Sequence, residues 1–298
     1  MSKIAVSGGT GYVGRFIVDR LLAEGHEVVV LGRQAPPKGL YSSAVEYRYS
    51  SLATASVFAS LFSDCNVFVH AAFHHEEGKF RGGEGNDPIG FRRLNHEGSM
   101  ALFRAAKEAG VQRAVLLSSR AVYGVQPVGA MLTEDTEPHP DTLYGQVKLE
   151  TEHALSNLEE SSFLPIIVRA TGIYGRSAGS MFHKWLTLFA AFEKNEDIGS
   201  RIGTEVHGED LAHAVSLLLT SRQADIHESR TFNVSDILLD RRELLETYAQ
   251  LRGLTASQLP LASEANSFNM MDCSRLKKLG WKPRGALDLA NLVENAIY

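Results

Sequence analysis

The sequence predicts an α/β fold: a doubly wound parallel sheet over residues 1–170, rejoined by a late strand near 231–235. Residues 171–298 are expected to form mostly a small, discontinuous C-terminal cap. Three observations predict this. Short apolar runs alternate with segments of helical period, the pattern of a parallel sheet covered on both faces. The first run, "IAVS", is followed by glycines at 8, 11 and 14 and then by an amphipathic segment, which reads as strand, tight turn and helix. After residue 170 the alternation loosens into pieces too scattered to build an independent domain.

Taken in order, "IAVS", "EVVVL", "VEYRY", "NVFVHA", "AVLLS" and "PIIVR" are the strands. Helical spacing between them predicts helices over 12–24, 54–62, 91–109 and 144–160. In the cap, helices are expected at about 180–194 and 209–220, and "RTFNVS" returns to the sheet as a strand. "DRRELLETYAQLRG" is a helix started by Asp240, and "DCSRLKKLGWKP" a short one stopped by Gly280 and Pro283. Sheets of this kind bind ligands beyond the carboxyl ends of their strands, which places a substrate between cap and sheet.

A chain of 298 residues buries a large core. Its net charge of −5 is spread without a basic block, which argues against nucleic acid and anionic membrane as partners. No apolar run approaches a bilayer span and no leader pattern opens the chain, so the expected location is cytoplasmic. Cys65 and Cys273 are too few for a disulfide framework and read as packing residues. The long connection "FHHEEGKFRGGEGNDPIGFRR" carries His74, His75, Glu76 and Glu77. Neighbouring side chains point in different directions and no second cluster has metal-site spacing, so the loop reads as solvated or substrate-facing and no metal is expected.

Three groups of residues carry chemistry. Gly8, Gly11 and Gly14 precede a helix start, where unpaired N–H groups and the positive end of the dipole favour an anion such as a pyrophosphate. An ordinary tight turn would use the same glycines. Tyr144 and Lys148 lie four apart on a predicted helix, about 6 Å along its axis. Lowering a tyrosine pKa from 10 by about 3 units takes roughly 4 kcal/mol, which an ammonium about 4 Å away supplies at an effective dielectric near 20. Lys148 can therefore make Tyr144 a general acid/base. In "LLSSRAVYG", Ser118 and Ser119 end a buried-looking strand, where a hydroxyl can steady an oxygen that gains or loses charge.

These elements together resemble the extended short-chain dehydrogenase/reductase family, in its NAD-dependent epimerase/dehydratase group, which includes UDP-galactose 4-epimerase. The resemblance spans nearly the whole chain. The family's GxxGxxG falls on Gly8, Gly11 and Gly14, enclosing Tyr12 and Val13. Its acidic residue before the fourth strand matches Asp64, its strand-end alanines Ala71 and Ala72, and its NxxG element Asn95 and Gly98. Ser119, Tyr144 and Lys148 fall on the catalytic set. "RATGIYG", "VHGEDLA", "FNVS" and "LGWKP" match further elements. The resemblance implies a Rossmann-type fold, with Gly8, Gly11, Tyr12, Val13, Gly14, Arg33, Ala71, Ala72, Asn95 and Lys148 at a nicotinamide dinucleotide. It also implies hydride transfer, with Tyr144 exchanging the proton, Ser119 hydrogen-bonding the oxygen and Lys148 binding the ribose. A homodimer built on a four-helix bundle is implied as well.

Gly32 and Arg33 stand where NAD-preferring relatives carry an Asp or Glu, so NADP(H) is favoured and NAD(H) is possible. The chain lacks the Thr-Asp-Glu of sugar dehydratases, having Ser119, Arg120 and Ala121 instead. About 30 residues separate "RATGIYG" from "VHGEDLA", leaving little cap to grip a nucleotide diphosphate. The reading is an NAD(P)-dependent oxidoreductase acting on a secondary alcohol or ketone of a sugar or small sugar-like metabolite. An epimerase with a tightly held cofactor and a non-catalytic NADP-binding sensor are the alternatives. Arg120, His139, Tyr174, Arg176 and His183 are candidate substrate contacts.

Overall fold

The protein is described by a computed structural model. It describes residues 2–53, 57–76, 83–177, 183–226, 229–255, 258–264 and 268–285, with 290 and 293. Seven parallel strands form the main sheet: β1 (Lys3–Ser7), β2 (Glu27–Gly32), β3 (Glu46–Tyr49), β4 (Val67–His70), β5 (Arg113–Ser119), β6 (Leu164–Ala170) and β9 (Thr231–Val234). Their order is β3-β2-β1-β4-β5-β6-β9, so the winding reverses between β1 and β4. That crevice is where an open α/β sheet binds its ligand.

Apart from the edge strand β3, whose Glu46 and Tyr49 are exposed, the strands carry apolar residues on both sides because both sheet faces are covered. Ile4, Val6, Val28 and Val30 face a core shared with α1 (Tyr12–Ala23) and α6 (Gly208–Thr220). Ala5, Val29, Leu31 and Phe68 face the opposite core, with Phe103 of α3 (Gly98–Glu108) and Leu155 of α4 (Leu143–Ser156). Register aligns the carboxyl ends: Ser7 pairs with Leu31 and His70, and Ser119 with Ala170.

Local chemistry sets several boundaries. Thr142 caps α4 by accepting from Gly145 N at 3.1 Å. Asp87 caps α2 (Pro88–Arg92), with Pro88 in its first turn. A single wide turn of π type over Arg93–Glu97 joins α2 to α3, so the helix expected at 91–109 begins earlier and is interrupted. Within 54–62 only Ala59–Phe62 is helical, as one 3₁₀ turn; residues 54–56 lie outside the described residues. Phe58 is extended and Asp64 takes φ 63°, because the chain must turn within a few residues to enter β4.

The cap has its own sheet, which helical spacing did not reveal. β7 (Gly172–Tyr174) runs parallel to β8 (Ile202–His207), and β10 (Ile237–Asp240) antiparallel to it. These are three- to six-residue strands, and only pairing between distant segments selects them. Their cover is α5 (Leu186–Glu193) and α7 (Arg241–Arg252), around a core of Tyr174, Trp185, Phe189 and Tyr248. Residues 180–182 of the helix expected at 180–194 lie outside the described residues. Asp240 caps α7 as expected, accepting from Arg242 N at 2.7 Å.

Not all of residues 171–298 pack with this second sheet. Helix α6 packs against α1 under the main sheet, and Ser216 Oγ hydrogen-bonds Glu24 across them. Cys273, Leu276 of α8 (Ser274–Lys278) and Trp281 join the same core. Their apolar faces find more buried partners beneath the sheet than the short cap offers. Both cysteines are buried; burial pushes the Cys273 thiol up to about 12.

Candidate active site

At the end of β1 the backbone of Gly8 takes φ 72°, and a Cβ there would stand 2.6 Å from Ala72 N and 2.7 Å from Ala72 Cα. A Cβ on Gly14 would lie 2.7 Å from Gly9 Cα, whereas Gly11 meets only Gly8 O at 3.2 Å. The first and third glycines thus let β1, the loop after β4 and α1 close on one another. Helix α1 begins without a side-chain cap and without an acidic residue in its first turn, leaving its amide N–H groups and positive dipole end for an anion.

At the end of β3, Ser50 carries a buried hydroxyl without a hydrogen-bond partner, beside Gly32 O, which accepts from Ser50 N at 2.9 Å. An orphaned polar atom at the carboxyl end of β3 and a glycine cradle that a Cβ would fill both fit a dinucleotide. Arg33 follows β2 and is exposed. Val13 packs on the core, and Tyr12 reaches the cap, where its hydroxyl donates to Gly175 O at 2.6 Å.

The loop after β4 is held by a buried relay. His70 Nδ1 lies 2.6 Å from Ser7 Oγ and its Nε2 2.8 Å from Ser99 Oγ. Burial, with Lys148 nearby, pushes the imidazole down to about 3, so it is neutral. Asn95 accepts from His74 N at 2.6 Å and donates to His74 O at 2.8 Å and Phe91 O at 3.0 Å. Asn95 thereby holds the Ala71–His74 loop against the turn at Phe91.

Ser119 closes β5, and its Oγ accepts from Ala121 N at 3.1 Å, which leaves the hydroxyl proton for another acceptor. Tyr144 and Lys148 stand on successive turns of α4, which packs on β5. Lys148 Nζ is buried and donates to Leu117 O at 2.8 Å. Burial pushes its ammonium down to about 7, against an upward pull from Glu152. Phe73 lies across both residues: its ring is 5.1 Å from that of Tyr144 and 4.4 Å from Lys148 Nζ.

One turn further along α4, Glu152 is fully buried. It accepts from Ser118 Oγ on β5 and pairs with Arg169 of β6, at 2.7 Å from Nη2 and 3.1 Å from Nε. This carboxylate joins the helix that carries Tyr144 and Lys148 to the strand that ends in Ser119. Spacing alone could have found it, since residues 144, 148 and 152 repeat every four along one helical face. His70, Ser99 and Ser50 gave no such signal.

The expected substrate contacts divide. Arg120 lies 4.5 Å over the Phe268 ring and donates to Asn269 O at 2.8 Å. Tyr174 is no contact: it is fully buried and stacked on Trp185 at 5.3 Å. His183 is buried too, and its Nδ1 accepts from Trp185 N at 3.2 Å at the start of α5. Both serve the cap core, which needs large flat side chains between two thin layers. The His139 side chain is exposed, while its backbone pairs with Tyr123 and Val125. Arg176 is half-buried. Among the described residues no group of three or more His, Cys, Asp or Glu is placed to hold a metal, and Glu77 lies outside them.

The model of the NAD dependent epimerase/dehydratase family matches residues 4–235. The chain belongs to the NAD-dependent epimerase/dehydratase family. Among its relatives, UDP-glucose 4-epimerase of Neisseria meningitidis serogroup C is 27% identical over 194 residues, covering 59% of this chain and 56% of that protein. The dTDP-6-deoxy-L-talose 4-dehydrogenase (NAD(P)(+)) of Kitasatospora kifunensis is 31% identical over 193 residues, covering 64% and 58%. The chain thus spans little more than half the length of these relatives.

Among solved structures, UDP-glucose 4-epimerase of Thermotoga maritima with UDP-glucose superposes with a TM-score of 0.80 at 20% identity, over 98% of both chains. MoeE5 with UDP-glucose and NAD gives 0.78 at 22% identity, also over 98% of both. At such identity the likeness establishes the family's Rossmann-like fold.

Proposed function

We propose that this family member is an NAD(P)-dependent oxidoreductase that interconverts a secondary alcohol and a ketone on a sugar or small sugar-like metabolite. The observation that carries the reading is the common platform of Tyr144 and Lys148 on α4, packed on the strand that ends in Ser119. When bound, a nicotinamide dinucleotide supplies or takes up the hydride at the substrate carbon. Gly8 and Gly14 let its pyrophosphate approach the α1 N-terminus. Ser119 donates to the reacting oxygen, and Tyr144 gives that oxygen a proton in reduction or removes it in oxidation. Lys148 would bind the ribose of that dinucleotide through its ammonium, and its positive charge would favour the ionised form of Tyr144.

NADP(H) is the preferred cofactor in this proposal. Arg33 suits a 2′-phosphate in charge and geometry, and no carboxylate at the end of β2 receives ribose hydroxyls. The second reading, an epimerase in which hydride leaves and returns on opposite faces, is supported by the names of the UDP-glucose 4-epimerase relatives. A cytoplasmic homodimer is also proposed; no described helix is long and apolar enough to cross a membrane. A bundle dimer would join faces of α3 and α4 that expose Arg104, Glu108, Gln146 and His153, and light scattering tests it.

Fluorescence titration with NADPH and NADH, after the ultraviolet spectrum has been checked for retained cofactor, separates the readings. Exchangeable binding that favours NADPH supports the reductase. Tightly retained NAD supports the epimerase and overturns the role of Arg33. Tyr144→Phe should abolish turnover and leave cofactor affinity nearly intact; unchanged turnover removes Tyr144 from the mechanism.

A further inference from the structure

Lys148 is buried, yet its ammonium must stay charged to favour the ionised form of Tyr144. Nζ donates to Leu117 O at 2.8 Å and lies 4.4 Å from the centre of the Phe73 ring. His70 of β4 and His75 of the following loop stand near it. Burial and then this ammonium hold His70 neutral, while burial, His74 and the ammonium lower His75. Neither imidazole offsets the lysine's charge. Elsewhere around α4, Arg92 pairs with Glu150, His96 meets Thr151 at 3.1 Å, and Arg120 lies over the Phe268 ring.

Glu152 lies one turn further along the same helical face. Burial lowers the proton affinity of Lys148, and this carboxylate pulls it back up. Two strands hold the carboxylate in place. Ser118 Oγ donates to it from β5, and Arg169 donates from β6 through Nη2 at 2.7 Å and Nε at 3.1 Å. The Arg169 guanidinium in turn lies 4.9 Å over the Tyr123 ring. Leu117 and Ser118, successive residues of β5, thus take Lys148 and Glu152, and the next residue is Ser119.

As a fastener the ion pair is replaceable, since well-packed apolar side chains of similar volume often serve equally well. An apolar pair cannot supply a negative charge beside a buried ammonium. Resting on the oxidoreductase reading, we propose that Glu152 is a positioning residue of the reaction: anchored by Ser118 and Arg169, its carboxylate keeps Lys148 charged so that Tyr144 reaches its ionised form. Without that carboxylate, Lys148 loses its proton at lower pH and Tyr144 ionises at higher pH. Alcohol oxidation, in which the phenolate accepts the alcohol's proton, then requires a higher pH as well.

The test compares the full chain with Glu152→Gln and with the double variant Glu152→Leu, Arg169→Met, each checked for folding by circular dichroism. In ligand-free protein carrying isotope-labelled lysine, the Lys148 signal is identified by its loss in Lys148→Met and titrated by NMR. The wild-type ammonium is expected to titrate at about 7, and that of Glu152→Gln about one pH unit or more lower. The double variant should show a smaller downward step, because it also lacks the positive charge of Arg169. With the oxidised dinucleotide that the chain binds, the pH profile for oxidation of a secondary alcohol should move upward in both variants. Each unit of that shift is about a tenfold loss of rate below the limb. Should Glu152→Gln not fold, the double variant carries the comparison.

A Lys148 that titrates at the wild-type pH in either folded variant overturns the proposal. So does a double variant that regains the wild-type pH profile together with its stability, since Glu152 is then a fastener alone. A displaced Lys148 titration in a chain that binds dinucleotide but oxidises no secondary alcohol would instead overturn the oxidoreductase reading beneath it.

Discussion

Replacing Glu152 by Gln removes a negative charge while nearly preserving volume. In the native chain that carboxylate is 1% exposed and its partner Arg169 7% exposed. Arg169 stays charged, because the pair with Glu152 holds its pKa above the usual arginine value despite burial. The variant therefore leaves a buried guanidinium without a counter-charge, which costs about 3–5 kcal/mol. At roughly 2–4 °C per kcal/mol for a chain of this class, the melting temperature should fall by about 6–20 °C. Thermal unfolding followed by circular dichroism measures the change. The double variant Glu152→Leu with Arg169→Met removes both charges and should recover most of the loss. A single-variant shift below about 2 °C, or a double variant no more stable than the single, would refute the assignment of Glu152 as the clamp between α4 and the sheet.

Lys148→Met should stabilise the ligand-free protein at pH 7 and below while abolishing turnover. The folded chain releases the lysine proton at about 7 and the unfolded chain near 10.5; the unfolded state binds more protons between these values, so wild-type stability rises with pH across that window. Melting curves at several pH values should show the variant's advantage shrinking toward pH 10.5, and a pH-independent advantage would contradict the buried-ammonium account. Gly14→Ala should lose about 1–3 kcal/mol from overpacking against Gly9 and weaken dinucleotide binding about 10-fold or more as the loop opens. Denaturant titration and fluorescence titration check the two effects; unchanged binding would mean that the Gly8–Gly14 loop does not cradle the pyrophosphate.

Much of the main sheet was legible because its signals are local. β1, the glycine loop and α1 follow one another within about twenty residues, and doubly buried strands read as uninterrupted apolar runs. The start of α7 was legible for the same reason, since Asp240 caps a backbone N–H two residues away. The strand Ile202–His207 was missed because its sequence states little until Gly172–Tyr174 and Ile237–Asp240 pair with it. Tyr174 and His183 looked like substrate contacts because residue type and nearby motif suggest function, while burial beneath Trp185 is a property of the folded cap.

Residue order alone thus determined the parallel α/β architecture and the four-residue spacing of Tyr144 and Lys148, because strand periodicity, helix periodicity and capping act over a few residues. Only the tertiary structure decided that α6 lies under the sheet and that Asn95 clamps a loop. It also decided that Glu152 joins Ser118 to Arg169 and that Phe73 lies across Tyr144 and Lys148. These arrangements unite side chains far apart in sequence, and their energies arise from burial and pairing that exist once the layers have packed.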